Sequence, residues 1–279
     1  MNRIFTATAR NVRTFRAVAF ATYKEWSAYR THSMISLFVG PVYFLVQISI
    51  CRAIYRNGGA EQVLSGMPLN QLISYFGINA LIGYLTMDFA DWNLQMLVRT
   101  GKFLTFALRP VDHRFFAFAQ KCGHRVLGFF FEFLPCFLIF RFVFHVRLMP
   151  PQPFWAVLSV LLGFLMTFIV DYCIGLSSFW FVRAEGVRAV FRLLQSVFSG
   201  ALIPLIFFPP VLQKVLFFLP FQYMLYVPSM VCTGSYSLAG STMPLPEIVS
   251  LQAAAVAVFF AVSSLLYRRA LHRFTGVGA

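Results

Sequence analysis

Residues 99–114, Arg-Thr-Gly-Lys-Phe-Leu-Thr-Phe-Ala-Leu-Arg-Pro-Val-Asp-His-Arg, form the clearest basic interruption between two long hydrophobic runs of this chain. The segment contains the cations Arg99, Lys102, Arg109 and Arg114 but one acid, Asp112. Short loops with such an excess of lysine and arginine stay on the cytoplasmic side of a membrane. The segment therefore predicts a cytoplasmic loop between two membrane spans.

The same loop contains a short helical pattern. Phe103, Phe106 and Ala107 fall on one helical face, and Pro110 ends the pattern because proline has no backbone N–H to donate. A short helix held against the membrane at this position can transmit force from a soluble partner. A solvated basic loop that only fixes the orientation is the alternative, which the charges alone leave open.

The composition of the 279 residues is that of a polytopic membrane protein, with 59% hydrophobic and 11% charged residues. Soluble domains carry roughly 25% charged residues. Several apolar runs approach the ~20 residues that cross a bilayer as a helix, so we expect one all-α transmembrane domain over residues 1–279. The net charge of +14 comes from short tracts beside these runs, a distribution that fits membrane orientation and anionic lipid rather than nucleic acid.

The hydrophobic pattern predicts six spans. Five are the runs 34–51, 71–97, 115–140, 154–182 and 247–267, followed or preceded by polar loops such as the short cytoplasmic connection 183–192. The run 193–232 is long enough for two spans but is interrupted by five prolines. One crossing there, followed by a re-entrant segment over 209–232, places 18 of the 23 lysines and arginines and both termini on the cytoplasmic side, which the positive-inside rule favours.

Residues 2–30 have the pattern of an amphipathic helix. One face is mainly apolar and aromatic: Phe15, Val18, Ala19, Thr22, Trp26 and Tyr29. The cations Arg10, Arg13, Arg16 and Lys24 gather elsewhere, with Phe20 interrupting them. The pattern predicts a helix lying in the cytoplasmic interface with its arginines toward lipid phosphate, and a disordered basic tail is the alternative.

No residue pattern indicates catalysis or metal binding. The five cysteines are scattered without a Cys-x-x-Cys pair, and no Ser-His-Asp or paired-carboxylate constellation is present. Gly101-Lys102 does not belong to a phosphate-binding loop, because position 96 is Met rather than Gly. We therefore expect no catalytic residue, no metal and no cofactor bound by this chain.

Four acids, Asp88, Asp91, Glu132 and Asp171, fall within predicted spans. Ionisable groups there are costly and usually face a partner or a wet cavity. One interpretation is the proton or cation path of a secondary transporter. The other, which we favour, pairs Asp88 and Asp91 with Arg99 or Lys102, and Glu132 with Arg125 or a neighbouring helix.

Three regions together resemble the type-two ABC exporter permeases, the membrane subunits of one class of ABC transporters. Residues 2–30 resemble the connecting helix of that family. Gly101 followed by Leu108-Arg109-Pro110 resembles the Gly…Leu-Arg-Pro signature of one branch, where a coupling helix meets the ATPase. The series Pro204, Pro209, Pro220, Phe221 and Pro228 resembles the proline-rich end of the fifth span and the re-entrant helices after it.

The resemblance implies a permease subunit of an ATP-driven exporter in the bacterial inner membrane, moving a substrate from the cytoplasm or inner leaflet outward, with hydrophobic or amphipathic molecules as candidates. It would pair with a second permease, identical or related, and with separate ATPase subunits that bind ATP and Mg. The coupling residues would be Arg99, Gly101, Lys102, Phe103, Phe106, Leu108, Arg109 and Pro110, and the proline series would form an outer gate. An ion-coupled secondary transporter and a non-transporting membrane scaffold are the alternatives.

Overall fold

The computed structural model describes residues 2–28, 30–56, 67–109, 111–181 and 184–273, with the backbone alone for residues 2–10, 30–37, 56 and 107. The described α-helices are α1 (Asn2–Ser27), α2 (Arg30–Arg56), α3 (Leu69–Thr86), α4 (Ala90–Arg99), α5 (Phe103–Ala107), α6 (His113–Gly128), α7 (Leu134–Leu138), α8 (Pro153–Leu176), α9 (Glu185–Phe198), α10 (Pro210–Phe218), α11 (Phe221–Met224), α12 (Tyr226–Thr233) and α13 (Leu245–Arg273). The predicted helical membrane architecture is confirmed.

A short antiparallel hairpin is the one departure from helix-and-loop structure in the described part of the chain. Strand β1 (Tyr236–Leu238) pairs with β2 (Ser241–Met243) between α12 and α13. Its two turn residues, Ala239 and Gly240, have φ angles of +56° and +76°. Positive φ at both central residues is the geometry that joins two strands tightly without splaying them.

Five helical segments of the described residues are long and apolar enough to cross a membrane: Phe38–Tyr55, Leu69–Arg99, His113–Val143, Pro153–Phe179 and Leu245–Arg273. They overlap five of the six predicted spans. In chain order we name them the first, second, third, fourth and last spans.

The predicted fifth span is not one long helix. α9 has 14 residues, which is about 21 Å at ~1.5 Å per residue and short of the ~30 Å hydrocarbon core. It begins at Glu185, so the predicted connection 183–192 is largely helical instead. After α9 the described backbone forms only a 3₁₀ turn, Leu205–Phe207, before α10 begins. A sixth crossing stays a prediction.

The second span is two helices rather than one. α3 ends at Thr86 and α4 begins at Ala90. At the break, the carboxylate of Asp88 accepts hydrogen bonds from the backbone N–H of Phe89 (2.7 Å) and of Ala90 (3.0 Å). The first amides of a helix have no partner within it, so Asp88 caps α4 and stabilises the interruption.

The third span widens twice into π-helical turns, at Phe129–Phe133 and Ile139–Val143, on either side of α7. Pro135 in α7 has no N–H, and its ring would collide with the carbonyl of residue 131 in a regular helix. The first widened turn lies directly before this proline and accommodates it. Glu132 lies within that turn.

α1 packs along α6. The rings of Phe15 and Phe115 are 5.9 Å apart, and those of Trp26 and His124 are 4.1 Å apart. The backbones approach most closely at Gly123, where a Cβ would lie 2.2 Å from the carbonyl oxygen of Ala19. The apolar face predicted for this helix thus faces protein, while Tyr29, which was assigned to it, lies outside the described residues.

Gly200 follows α9 and attaches it to α3. Its φ angle of +81° lies in the left-handed region that glycine adopts without strain. Its carbonyl oxygen accepts hydrogen bonds from the Tyr75 hydroxyl (2.7 Å) and the Asn79 side-chain amide (3.1 Å). A Cβ at this position would lie 2.6 Å from the Tyr75 hydroxyl oxygen.

Gly200→Ala is expected to lower the free energy of unfolding by at least 1 kcal/mol (order of magnitude), because it adds left-handed strain of roughly 1–2 kcal/mol to the steric conflict with Tyr75. The matched control is Gly83→Ala in α3, where a Cβ would meet no atom within 4 Å. This control is expected to be neutral or stabilising by about 0.5–1 kcal/mol, because alanine favours the helix. Thermal unfolding of both purified variants in detergent measures the difference, and equal midpoints would contradict it.

Candidate functional site

The coupling segment, which we define as residues 99–109, is held against the bundle by two phenylalanines. Phe103 is buried, and its ring lies 5.0 Å from that of Phe179 and 5.4 Å from that of His113. Phe106 contacts His113 at 5.0 Å and Phe116 at 4.9 Å. The segment is therefore attached to the end of the fourth span and to the start of the third.

The opposite side of the coupling segment is exposed. Lys102, Leu104, Leu108 and Arg109 point away from the bundle, and Leu108 is 80% exposed. The Arg109 guanidinium lies 4.7 Å from the centre of the Phe106 ring, which keeps the charge close to the helix. Leu104 was not singled out from the sequence; it follows Phe103, is rotated from it by about 100° around α5, and is exposed.

The turn that leads into α5 depends on Gly101, whose φ angle is +70°. The predicted coupling residues thus divide into two groups. Phe103 and Phe106 hold the segment in place, whereas Lys102, Leu108 and Arg109 form its free surface. Pro110 lies outside the described residues, as does the side chain of Ala107.

A salt bridge extends the free surface to α9. The Arg99 guanidinium contacts the Glu185 carboxylate at 2.5 Å, and both side chains are more than half exposed. An exposed pair of this kind contributes little stability. Its consequence is geometric, because it brings the start of α9 beside the coupling segment.

The interior acids do not pair with Arg99 or Lys102, as the sequence analysis expected for Asp88 and Asp91. The fully buried carboxylate of Asp91 accepts hydrogen bonds from Arg188 Nε (2.7 Å), Arg192 Nε (3.1 Å) and Arg192 Nη2 (2.9 Å). Gly175 permits this arrangement, because a Cβ there would lie 3.1 Å from the Asp91 Cα. The Asp91 side chain therefore points toward α8 and α9, and not toward Arg99 at the end of α4.

Asp88 and Asp171 complete the same buried cluster. Asp88 Oδ2 lies 3.3 Å from Lys121 Nζ, and Asp171 Oδ2 lies 3.6 Å from Arg192 Nη2. Lys121 also donates a hydrogen bond to the carbonyl oxygen of Phe164 (3.0 Å). Neither oxygen of Asp171 has a hydrogen-bond partner among the described residues. The three acids Asp88, Asp91 and Asp171 are thus matched in charge by the three cations Lys121, Arg188 and Arg192.

Glu132 pairs with Arg125, as the sequence analysis allowed, with Glu132 Oε2 3.3 Å from Arg125 Nη1. Arg125 also donates a hydrogen bond to the carbonyl oxygen of Tyr84 (2.5 Å). Arg125 and Lys121 are both buried in the third span. Both were expected among the loop cations that set the orientation, and their burial within the span corrects that expectation.

The proline-rich segment, residues 200–234, lies at the end of the bundle remote from α5. Pro209 precedes α10, Pro220 precedes α11, and Pro204 precedes the 3₁₀ turn, so each stands at the start of a short helical element. Phe221 is buried 6.2 Å from the Phe198 ring. Pro228 lies within α12 against α8, where a Cβ at Gly163 would be 2.9 Å from its ring.

Three buried glutamines donate hydrogen bonds to backbone carbonyls in and beside this segment, and none of the three was singled out from the sequence. Gln213 donates to the carbonyls of Ile206 (2.9 Å) and Phe208 (2.7 Å). Gln222 donates to the carbonyl of Phe217 and accepts from the Tyr236 hydroxyl. Gln252 in α13 donates to the carbonyls of Ser159 and Tyr223. Gln213 and Gln222 could have been identified as polar residues between the prolines of an otherwise apolar run, whereas no local signal marks Gln252.

Asp91→Asn is expected to lower the free energy of unfolding by about 3 kcal/mol, the lower end for breaking a buried pair, because both arginines are about one-third exposed. A double-mutant cycle compares Asp91→Asn with Arg192→Gln and, as the control, with Arg99→Gln. We expect a coupling energy of roughly 1–3 kcal/mol with Arg192 and additive effects with Arg99. Additivity with Arg192 in detergent unfolding experiments would exclude the cluster.

Comparison with known proteins identifies the family. Residues 42–278 match the family model described as ABC-2 family transporter protein. Neither a curated protein nor a solved structure matches the chain. The matched range contains the coupling segment, the buried acids and the proline-rich segment, and it leaves out α1. The resemblance found in the sequence is therefore confirmed, and the chain belongs to the ABC-2 family of transporter proteins, the membrane subunits of ABC transporters.

Proposed function

We propose that this chain is the permease subunit of an ATP-driven exporter and that separate ATPase subunits bind the exposed face of its coupling segment. The observation that carries the proposal is the division of that segment into a packed side and a free side. The free side presents leucines between basic side chains, a surface suited to a partner with an apolar groove and acidic rim. ATP and Mg belong to the partner in this assignment.

The contacts of the coupling segment support force transmission. Phe103 and Phe106 join α5 to the ends of the third and fourth spans, and the Arg99–Glu185 pair joins it to α9. Packed elements move as units rather than deforming continuously. A displacement of α5 by the ATPases would therefore shift three neighbouring elements together and switch the permease between two states.

The proposed orientation places the coupling segment and both termini in the cytoplasm of a bacterial cell, with the protein in the inner membrane. It rests on the excess of cations in the loops at that side, which remains after Lys121 and Arg125 are removed from the count. The proline-rich segment then lies toward the outside, where we assign it the role of a gate. A second permease, identical or related, would complete the route along which the substrate leaves the cytoplasm or inner leaflet.

The buried cluster weighs against ion-coupled transport. Each of Asp88, Asp91, Glu132 and Asp171 lies within 4 Å of a lysine or arginine nitrogen. A carboxylate that carries a coupling ion must exchange it, whereas these charges are balanced by fixed side chains. The acids are better explained as contacts that join α4, α6, α8 and α9.

The combined charge reversal Lys102→Glu and Arg109→Glu is expected to uncouple ATPase activity from transport by removing the charge complementarity at the coupling surface. The matched control is Arg147→Glu, an exposed arginine beyond the other end of the third span. Membrane insertion should be unchanged in both. Transport and ATP hydrolysis are measured together in proteoliposomes, and coupled transport in the double variant would refute the assignment.

Substitutions at Leu108 and at Phe103 test the free side and the packed side of the coupling segment separately. Leu108→Asp is expected to reduce co-purification of the ATPase subunits at least tenfold while leaving the thermal unfolding midpoint unchanged, because Leu108 is 80% exposed. Phe103→Ala removes a buried ring and is expected to cost about 3–5 kcal/mol of stability. A lowered midpoint for Leu108→Asp would show that this residue packs within the permease instead.

A further inference from the structure

A groove between α1 and α6 is unused by the proposed transport mechanism. It has a volume of about 790 Å³ and is lined by Arg13, Phe15, Arg16, Ala17, Ala19, Phe20, Tyr23, Gly123 and Val126. Its described lining is predominantly apolar, and the charged groups among these residues are the two guanidinium groups. The close approach of α1 and α6 at Gly123 forms its closed side.

The residues of α1 that line the groove form a stripe beside its packed face. Arg13, Arg16, Phe20 and Tyr23 follow one another at helical spacing. Phe20 and Tyr23 stack with their ring centres 6.4 Å apart, and the Lys24 ammonium lies 4.8 Å from the centre of the Phe20 ring. Phe20, which interrupted the basic side of the helix in the sequence, is therefore part of the groove wall.

The cations at the groove have no acidic partner. Arg13 and Arg16 are exposed, and neither takes part in an ion pair within the described residues. Two arginines one helical turn apart present several N–H donors to the same point, a geometry suited to a phosphate group. An anion at this point would neutralise both charges.

A row of exposed apolar side chains begins at the groove and runs along the third span. Val126 is exposed at the groove, and Phe130, Leu134 and Leu138 follow it as exposed apolar side chains along the same span. The order along this path is cationic, aromatic and then aliphatic. A phospholipid has the matching order of phosphate, glycerol region and acyl chain.

We propose that the groove binds one anionic phospholipid of the surrounding leaflet, with its phosphate against Arg13 and Arg16 and an acyl chain along Val126 and the third span. Charge complementarity at the mouth and the continuous apolar path beyond it favour this occupant over a protein segment. The lipid fixes α1 on α6 and thereby stabilises the start of the third span, to which the coupling segment is attached.

Native mass spectrometry of the full chain in detergent tests the proposal, with phosphatidylglycerol and phosphatidylcholine of equal chain length as probes. The wild type is expected to retain phosphatidylglycerol in preference. Arg13→Gln with Arg16→Gln should reduce that preference about 25-fold, since each cation near an anionic headgroup contributes roughly fivefold. Arg141→Gln with Arg147→Gln, two exposed arginines near the other end of the third span, should leave it unchanged.

A second variant tests the apolar part. Ala17→Trp fills the groove at an exposed position and keeps both arginines, so it should weaken the binding of both lipids several-fold without lowering the thermal unfolding midpoint. Excess sn-glycerol 3-phosphate should not displace the lipid from the wild type. Equal binding of the two lipids by the wild type, unchanged binding in Ala17→Trp, or displacement by glycerol phosphate would each overturn the proposal, the last in favour of a free-phosphate site.

Discussion

The contact of Asp91 with two arginines of α9 is the interaction on which the arrangement of the bundle depends. The Asp91 carboxylate has no exposure to solvent, and a buried charge without a partner is strongly destabilising. α9 has no buried side chain of its own. Its position is therefore set less by apolar packing than by polar contacts, namely those of Arg188 and Arg192 with Asp91, of Arg99 with Glu185, and of Gly200 with Tyr75 and Asn79.

This mode of attachment links the two ends of the permease. α4 carries Asp91 and leads directly into the coupling segment, while α9 leads into the proline-rich segment. Because a buried carboxylate without its partners is strongly destabilising, Asp91 and the two arginines of α9 should move together. A shift of the coupling segment would reach α9 through Asp91 and then the remote end through Gly200. In the proposed mechanism the buried charges transmit this movement, and no bound ion is required.

The requirement that buried polar groups have partners also shapes the proline-rich segment. Prolines interrupt the helices there, and a carbonyl that loses its helical N–H partner needs another donor when it is buried. Gln213, Gln222 and Gln252 donate to carbonyls of this segment, the last to that of Tyr223, and the hydroxyls of Tyr226 and Tyr236 add bonds between the short helices and the hairpin. The segment is consequently a bonded unit, and a gate built from it would move as one body.

The sequence by itself determined the membrane class, five of the spans, the helical character of the coupling segment and the family. These properties follow from local features: apolar runs of sufficient length, clusters of cations and prolines at characteristic spacing. The sequence also offered Arg125, seven residues away in the same span, as a partner of Glu132, with a neighbouring helix as the alternative, and the structure shows the pair with Arg125. The sequence did not identify partners that are distant along the chain. Asp91 was expected to pair with Arg99 or Lys102 nearby, but it contacts Arg188 and Arg192, about a hundred residues away. Only the tertiary structure decided those contacts, the break at Asp88 and the division of the coupling segment into a packed and a free side. The physical reason is that helical spacing specifies which residues share a face, whereas which helix lies against that face depends on the packing of the whole bundle.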